Sequence, residues 1–131
     1  MNEKPRIEAA LVEQFVGKAH GDLDRVRELL AEQPSLVNAS WDWGDGDWET
    51  GLGAAAHMGR RDIAEFLIES GARVDLFAAA MLGWLEIVTT IISAYPEMAA
   101  AQGPHGIPLL RHAVAGGDAA RHVAEYLQNL L

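Results

Sequence analysis

The chain of 131 residues contains no cysteine, so a disulfide framework and any thiolate ligand or nucleophile are excluded, and a reducing cytoplasmic setting is the expectation. Basic residues are scarce. Ten Lys and Arg stand against nineteen Asp and Glu, a net charge of −9, which argues against a nucleic-acid footprint built from clustered cations. Arg60-Arg61 is the only adjacent basic pair. No apolar run approaches the length of a membrane span, and the opening M-N-E-K-P-R-I-E holds no apolar signal core, so no membrane association is expected. No alternating run of strand length occurs either, and no linker or low-complexity tract divides the chain.

What is present is a chain half apolar and 22% charged, a globular composition. Its length suits one domain, residues 1–131, able to bury roughly two thirds of its unfolded surface. Four segments share a glycine followed by an amphipathic helix: Gly21-D-L-D-R-V-R-E-L-L, Gly59-R-R-D-I-A-E-F-L-I, Gly83-W-L-E-I-V-T-T-I-I and Gly117-D-A-A-R-H-V-A-E-Y-L. Val26, Leu29 and Leu30 fall on one helical face, as do Ile63, Phe66 and Leu67, then Val88, Ile91 and Ile92, then Val123, Tyr126 and Leu127. Asp22, Asp62 and Asp118 sit at or just inside the helix starts, where a carboxylate meets unpaired N–H groups. Gly71 closes one helix, and Pro34 and Pro96 follow two others. Each of these helices is preceded by a short Ala-rich one, at about 8–19, 51–58, 76–82 and 107–115, where alanine favours the helix and lets neighbours approach. The fourth segment has one extra residue before its helix, and the spacing between the glycines is irregular because the connections vary. The expected fold is all-α, with a long connection at 39–49 and a second loop at 99–106.

A two-helix unit cannot bury its own apolar face, so it needs stacked neighbours of the same shape. The segment E-T-G-L-G-A-A-A-H-M-G-R-R-D-I-A-E-F-L-I-E-S-G-A-R-V-D, residues 49–75, resembles the ankyrin repeat family. Thr50, Leu52, Ala55, Ala56, Gly59, Ile63, Ala64, Leu67, Ile68, Gly71, Ala72, Val74 and Asp75 fall on that family's pattern. Gly51 replaces its Pro and Gly53 its His, so the hydrogen bonding given by that His is not carried over. Pro108 and Leu109 keep part of the same opening in the fourth unit. The resemblance implies a helical solenoid of about four helix-turn-helix units, at about 8–38, 49–75, 76–98 and 103–131, with degenerate terminal units. The hairpin before the third unit is missing.

The resemblance further implies a protein-binding module rather than an enzyme, contacting its partner through loop tips and the first-helix face. Position by position, that surface includes His20, Asp47, Glu49, His57, Met58, Met81, Leu82 and His105. Trp41, Asp42, Trp43, Asp45, Asp47 and Trp48 crowd an aromatic and acidic loop. It suits a basic or amphipathic protein partner or a cationic ligand, and its rings could equally fold back to supply core. The oxygen-rich loop D-W-G-D-G-D-W-E invites calcium but lacks the spacing of an EF-hand. The five histidines match no zinc spacing; His105 and His112 are seven apart, and His112 reads as a buried, hydrogen-bonded core residue. No nucleophile elbow or phosphate-binding glycine loop occurs. The expectation is therefore no cofactor. Two further readings use the same loop: a homodimer that covers its tryptophans, and an enzyme with His57 or His105 as acid–base group.

Overall fold

A computed structural model describes residues 4–131; residues 1–3, part of the expected domain, lie outside the described residues. Eight α-helices are present among these residues: α1 Ala9–Lys18, α2 Leu23–Glu32, α3 Gly51–His57, α4 Arg61–Glu69, α5 Leu76–Leu82, α6 Leu85–Ala94, α7 Leu109–Ala115 and α8 Arg121–Leu130. They form consecutive pairs whose members contact one another, and the first helices touch in series, α1 on α3, α3 on α5 and α5 on α7. The second helices make α2–α4 and α6–α8 contacts. No helix of the described residues is long and apolar enough to cross a membrane.

The local causes are those legible in the chain. Asp22 caps α2 by accepting the Arg25 N–H at 3.0 Å, Thr50 caps α3 through Gly53 N–H at 3.0 Å, and Asp75 caps α5 through Ala78 N–H at 2.8 Å. Pro34 and Pro96 open 3-10 turns directly after α2 and α6. The extra residue of the fourth unit is absorbed in a 3-10 turn, Gly117–Ala120, which places Asp118 before α8 rather than in it.

Two buried clusters make the core. Phe15, Val26, Leu29, Leu36, Leu52, Ile63, Leu67 and Met81 fill the first, while Val88, Leu109, Val123 and Leu127 fill the second, with Trp84 packed against both. Alanines line α3 and α5 where the first helices meet, and all are fully buried. Backbones approach closest at the glycine turns. Gly59 has φ +67°, and a Cβ there would stand 2.3 Å from the Ala115 carbonyl oxygen at the end of α7.

Arg60 and Arg61, the adjacent cations, tie neighbouring units together. Arg60 donates to the Gly21 carbonyl at 2.8 Å, and Arg61 donates to the Leu82 carbonyl at 2.9 Å. They satisfy turn carbonyls on either side of their own unit.

The long connection differs from a plain loop. Residues 40–50 form a small antiparallel hairpin, β1 Ser40–Asp42 and β2 Trp48–Thr50, with Trp41 opposite Glu49. Two three-residue strands are too short to show an alternation in sequence, which is why none is visible there. Before α5 the chain runs from Arg73 straight into Asp75 with no second hairpin, as expected.

Candidate functional site

Four side chains from four separate parts of the chain meet beneath the hairpin. His20 follows α1, Glu49 lies on β2, His57 ends α3, and His105 sits in the 3-10 turn Pro104–Gly106 ahead of α7. One ligating atom from each can be chosen so that all four lie within 4.8 Å of one another.

Glu49 is the hub. Strand alternation turns Trp48 outward, 60% exposed, and drives the Glu49 carboxylate inward, where only 1% of the residue is accessible. Its Oε1 accepts from Trp43 Nε1 at 2.9 Å and stands 3.2 Å from His20 Nε2 and 3.3 Å from His105 Nε2. Its Oε2 lies 3.0 Å from His57 Nε2, yet out of hydrogen-bond alignment, and both atoms are buried with no hydrogen-bond partner. Burial opposes charge on this carboxyl, but His20, His57 and Trp43 outweigh it and hold it far below the usual carboxylate range.

The histidines are oriented from behind. His20 Nδ1 is 3.0 Å from the carbonyls of both Val16 and Gly17, which accept only, so that nitrogen carries a proton. His105 Nδ1 is 2.7 Å from Asp47 Oδ2, and its backbone N–H donates to Asp47 Oδ1 at 2.8 Å. Those bonds hold Asp47 below its ordinary value, the backbone one most, and hold His105 at φ +62°. The Glu49 contact raises His20 above the usual imidazole value against the opposing effect of its burial. Ring centroids are 5.0 Å apart for His20 and His57, 5.2 Å for His57 and His105, and 6.2 Å for His20 and His105. The Trp43 ring flanks His20 and His105 at 6.1 and 6.2 Å.

Of the thirteen residues expected at a partner surface, the structure thus gathers six: His20, Trp43, Asp47, Glu49, His57 and His105. The others disperse. Trp41 is half-buried and packs on the first core cluster, so one ring does fold back, while Trp43 and Trp48 keep exposed surface. Asp42 turns onto its own loop, accepting the N–H groups of Gly44 at 2.8 Å and Gly46 at 3.0 Å. Asp45 lies at the exposed tip with φ +55°. Met58 is exposed beside His57, Ile107, Arg111 and Val114. Asp42, Asp45 and Asp47 therefore do not converge, and the loop offers calcium no cage among the described residues.

Three expected contacts need correction. Met81 and Leu82 are core residues, because α5 lies between α3 and α7 and Arg61 covers the end of the helix. Glu49 is buried rather than presented at the surface. His112 is fully buried, donates from Nδ1 to the Pro108 carbonyl at 2.9 Å and lies on Phe77, as expected of a core residue; burial pulls it below the usual imidazole value. It does not pair with His105 in the cluster.

No sequence spacing foretold the three-histidine constellation, since its members come from separate units. A partial signal did exist: His20 and His57 stand one and two residues before the equivalent glycines Gly21 and Gly59, whereas His105 comes from the turn ahead of α7, which no repeat position marks. Scanned against protein-family models, the chain matches none, and no curated protein sequence matches it.

Proposed function

We propose that this chain is a cytoplasmic binding module of ankyrin-like design, four helix pairs stacked as a small solenoid, recognising a protein partner rather than turning over a substrate. The carrying observation is the convergence beneath the hairpin of residues from the turn after α1, the hairpin itself, the end of α3 and the turn before α7. The partner meets the exposed Trp48 and the outer edge of Trp43, with Asp45 and Asp47 beside them. Acidic groups around exposed aromatic rings favour a basic or amphipathic segment. A groove of about 400 Å³ beside the hairpin, lined by Asp47, Trp48, Asp75, Phe77 and Pro104 with no cationic residue, fits the same chemistry.

Capture from a cell extract with wild type and with Trp48→Ala tests this. Trp48 is 60% exposed and belongs to neither core cluster, so the variant stays folded by circular dichroism and loses the partner. Equal recovery from both proteins rejects the hairpin as the contact. The exposure of Trp48 also favours a second reading, a homodimer through the hairpin. Light scattering that shows a dimer for wild type and a monomer for Trp48→Ala selects it.

A further inference from the structure

Hydrogen bonding at the Glu49 cluster does not close with protein groups in their ordinary neutral-histidine forms. His20 and His105 each spend the Nδ1 proton on an acceptor behind the ring, a carbonyl pair and the Asp47 carboxylate respectively. In the neutral tautomer, Nε2 then presents a lone pair. That lone pair faces another acceptor, Glu49 Oε1, at 3.2 and 3.3 Å. His57 Nε2 and Glu49 Oε2 face each other at 3.0 Å without hydrogen-bond alignment, both shut off from solvent. Protonating every ring would place three imidazolium ions with centroids only 5.0–6.2 Å apart around two carboxylates. A cation among the lone pairs removes every one of these conflicts.

We infer that His20, His57 and His105, through Nε2, and Glu49, through its carboxylate, bind one divalent transition-metal ion of the zinc class. Three independent features fit. The nitrogen-to-oxygen distances, 3.2 and 3.3 Å to Glu49 Oε1 for His20 and His105 and 3.0 Å to Oε2 for His57, lie near the edge of a tetrahedron, about 3.3 Å, for a metal about 2.0–2.1 Å from each ligand. With the four donor atoms within 4.8 Å of one another, a small inward shift of the rings closes the set. The charge balances: three neutral imidazoles, Glu49 and the adjacent Asp47 offer two negative charges to a divalent ion. The support behind the ligands is of the kind that metal-bound histidines use, with the far ring nitrogen donating to a carboxylate for His105 and to carbonyls for His20. Imidazole with a single carboxylate selects zinc and its neighbours over magnesium or calcium, which take oxygen. Held this way, the ion would tie the α1 turn, the hairpin, the end of α3 and the turn before α7 at one point.

Trp48 lies outside this set, so loss of a partner and loss of the ion are separate results. The test titrates chelator-treated protein with zinc by calorimetry and with cobalt by visible absorption. Wild type takes up one equivalent, gains thermal stability and shows the visible ligand-field bands of a four-coordinate cobalt site. Glu49→Gln and His57→Gln each weaken zinc binding at least 100-fold, on the order of magnitude expected for losing a ligand. Asp47→Asn, which only releases His105, weakens it about 10–100-fold. His122→Ala, on the exposed face of α8, leaves binding unchanged. Should Glu49→Gln fail to fold, His105→Gln, on a partly exposed turn, removes a ligand without touching the core and decides the same question. The inference is overturned if wild type binds no zinc at tens of micromolar, or if folded Asp47→Asn and His105→Gln bind as wild type does. Loss of binding in His122→Ala also overturns it.

Discussion

Replacing Gly59 with alanine strains the turn that follows His57, where α3 meets the end of α7. Two costs add. Gly59 has φ +67°, and an L-residue held in that region costs about 1–2 kcal/mol. The new Cβ would also lie 2.3 Å from the Ala115 carbonyl oxygen and 3.1 Å from its carbon, backbone atoms that cannot rotate away. Relieving such an overlap costs about 1–3 kcal/mol, so the sum is about 2–5 kcal/mol. Gly117→Ala is the control, because Gly117 has nearly the same φ, +66°, but nothing within 4 Å of a Cβ, leaving the strain alone. For a chain of this length, about 1 kcal/mol shifts the melting temperature by about 4 °C. Differential scanning calorimetry on metal-free protein should therefore show losses of about 4–8 °C for Gly117→Ala and about 8–20 °C for Gly59→Ala. A Gly59→Ala protein no less stable than Gly117→Ala would refute the close approach of the α3 turn to the end of α7.

Other perturbations follow from single contacts. Asp75→Ala removes the α5 cap and should cost about 1 kcal/mol in urea unfolding, with Asp75→Asn recovering most of it. Leu67→Ala, at a fully buried position in the first cluster, should cost about 2–5 kcal/mol. Without metal, His20 gives the stability a definite pH dependence. Its folded value is raised above 6.5, so its contribution is complete below 6.5 and is lost as the pH rises through the folded value. Glu49 faces it, with His57 and His105 alongside, and Glu49 stays ionised throughout that range. The melting-temperature gap between wild type and His20→Gln, in chelator, should therefore shrink from about pH 5.5 to about pH 8.5. His112 titrates equally in both proteins and cancels, so a gap that stays flat would contradict the His20–Glu49 contact.

The helices were legible because their signals are local. Asp22 announces a start, Pro34 and Pro96 announce stops, and Val26, Leu29 and Leu30 mark a buried face within two turns. Strands β1 and β2 were hidden because three residues carry no period. Glu49 was misplaced for a related reason: with no period to read, it was put at the surface with Asp47 and Trp48, whereas the register that pairs it with Trp41 turns its carboxylate in. Met81 and Leu82 went to the core because packing between α3 and α7 overrides the surface role that the same positions take in the resembled family. The cluster itself joins residues as far apart as His20 and His105, and only tertiary structure sets such a distance. Its partial trace in sequence was the placement of His20 and His57 ahead of equivalent turn glycines.

The metal site stands or falls on whether separate turns deliver three histidines to one buried carboxylate in a geometry that holds a divalent ion. A crystal structure of the zinc-soaked protein, with anomalous data collected across the zinc edge, decides this. One strong anomalous peak is expected, about 2.0–2.1 Å from Nε2 of His20, His57 and His105 and from a Glu49 oxygen. Density showing these four side chains apart, or together with no anomalous peak among them, would contradict it.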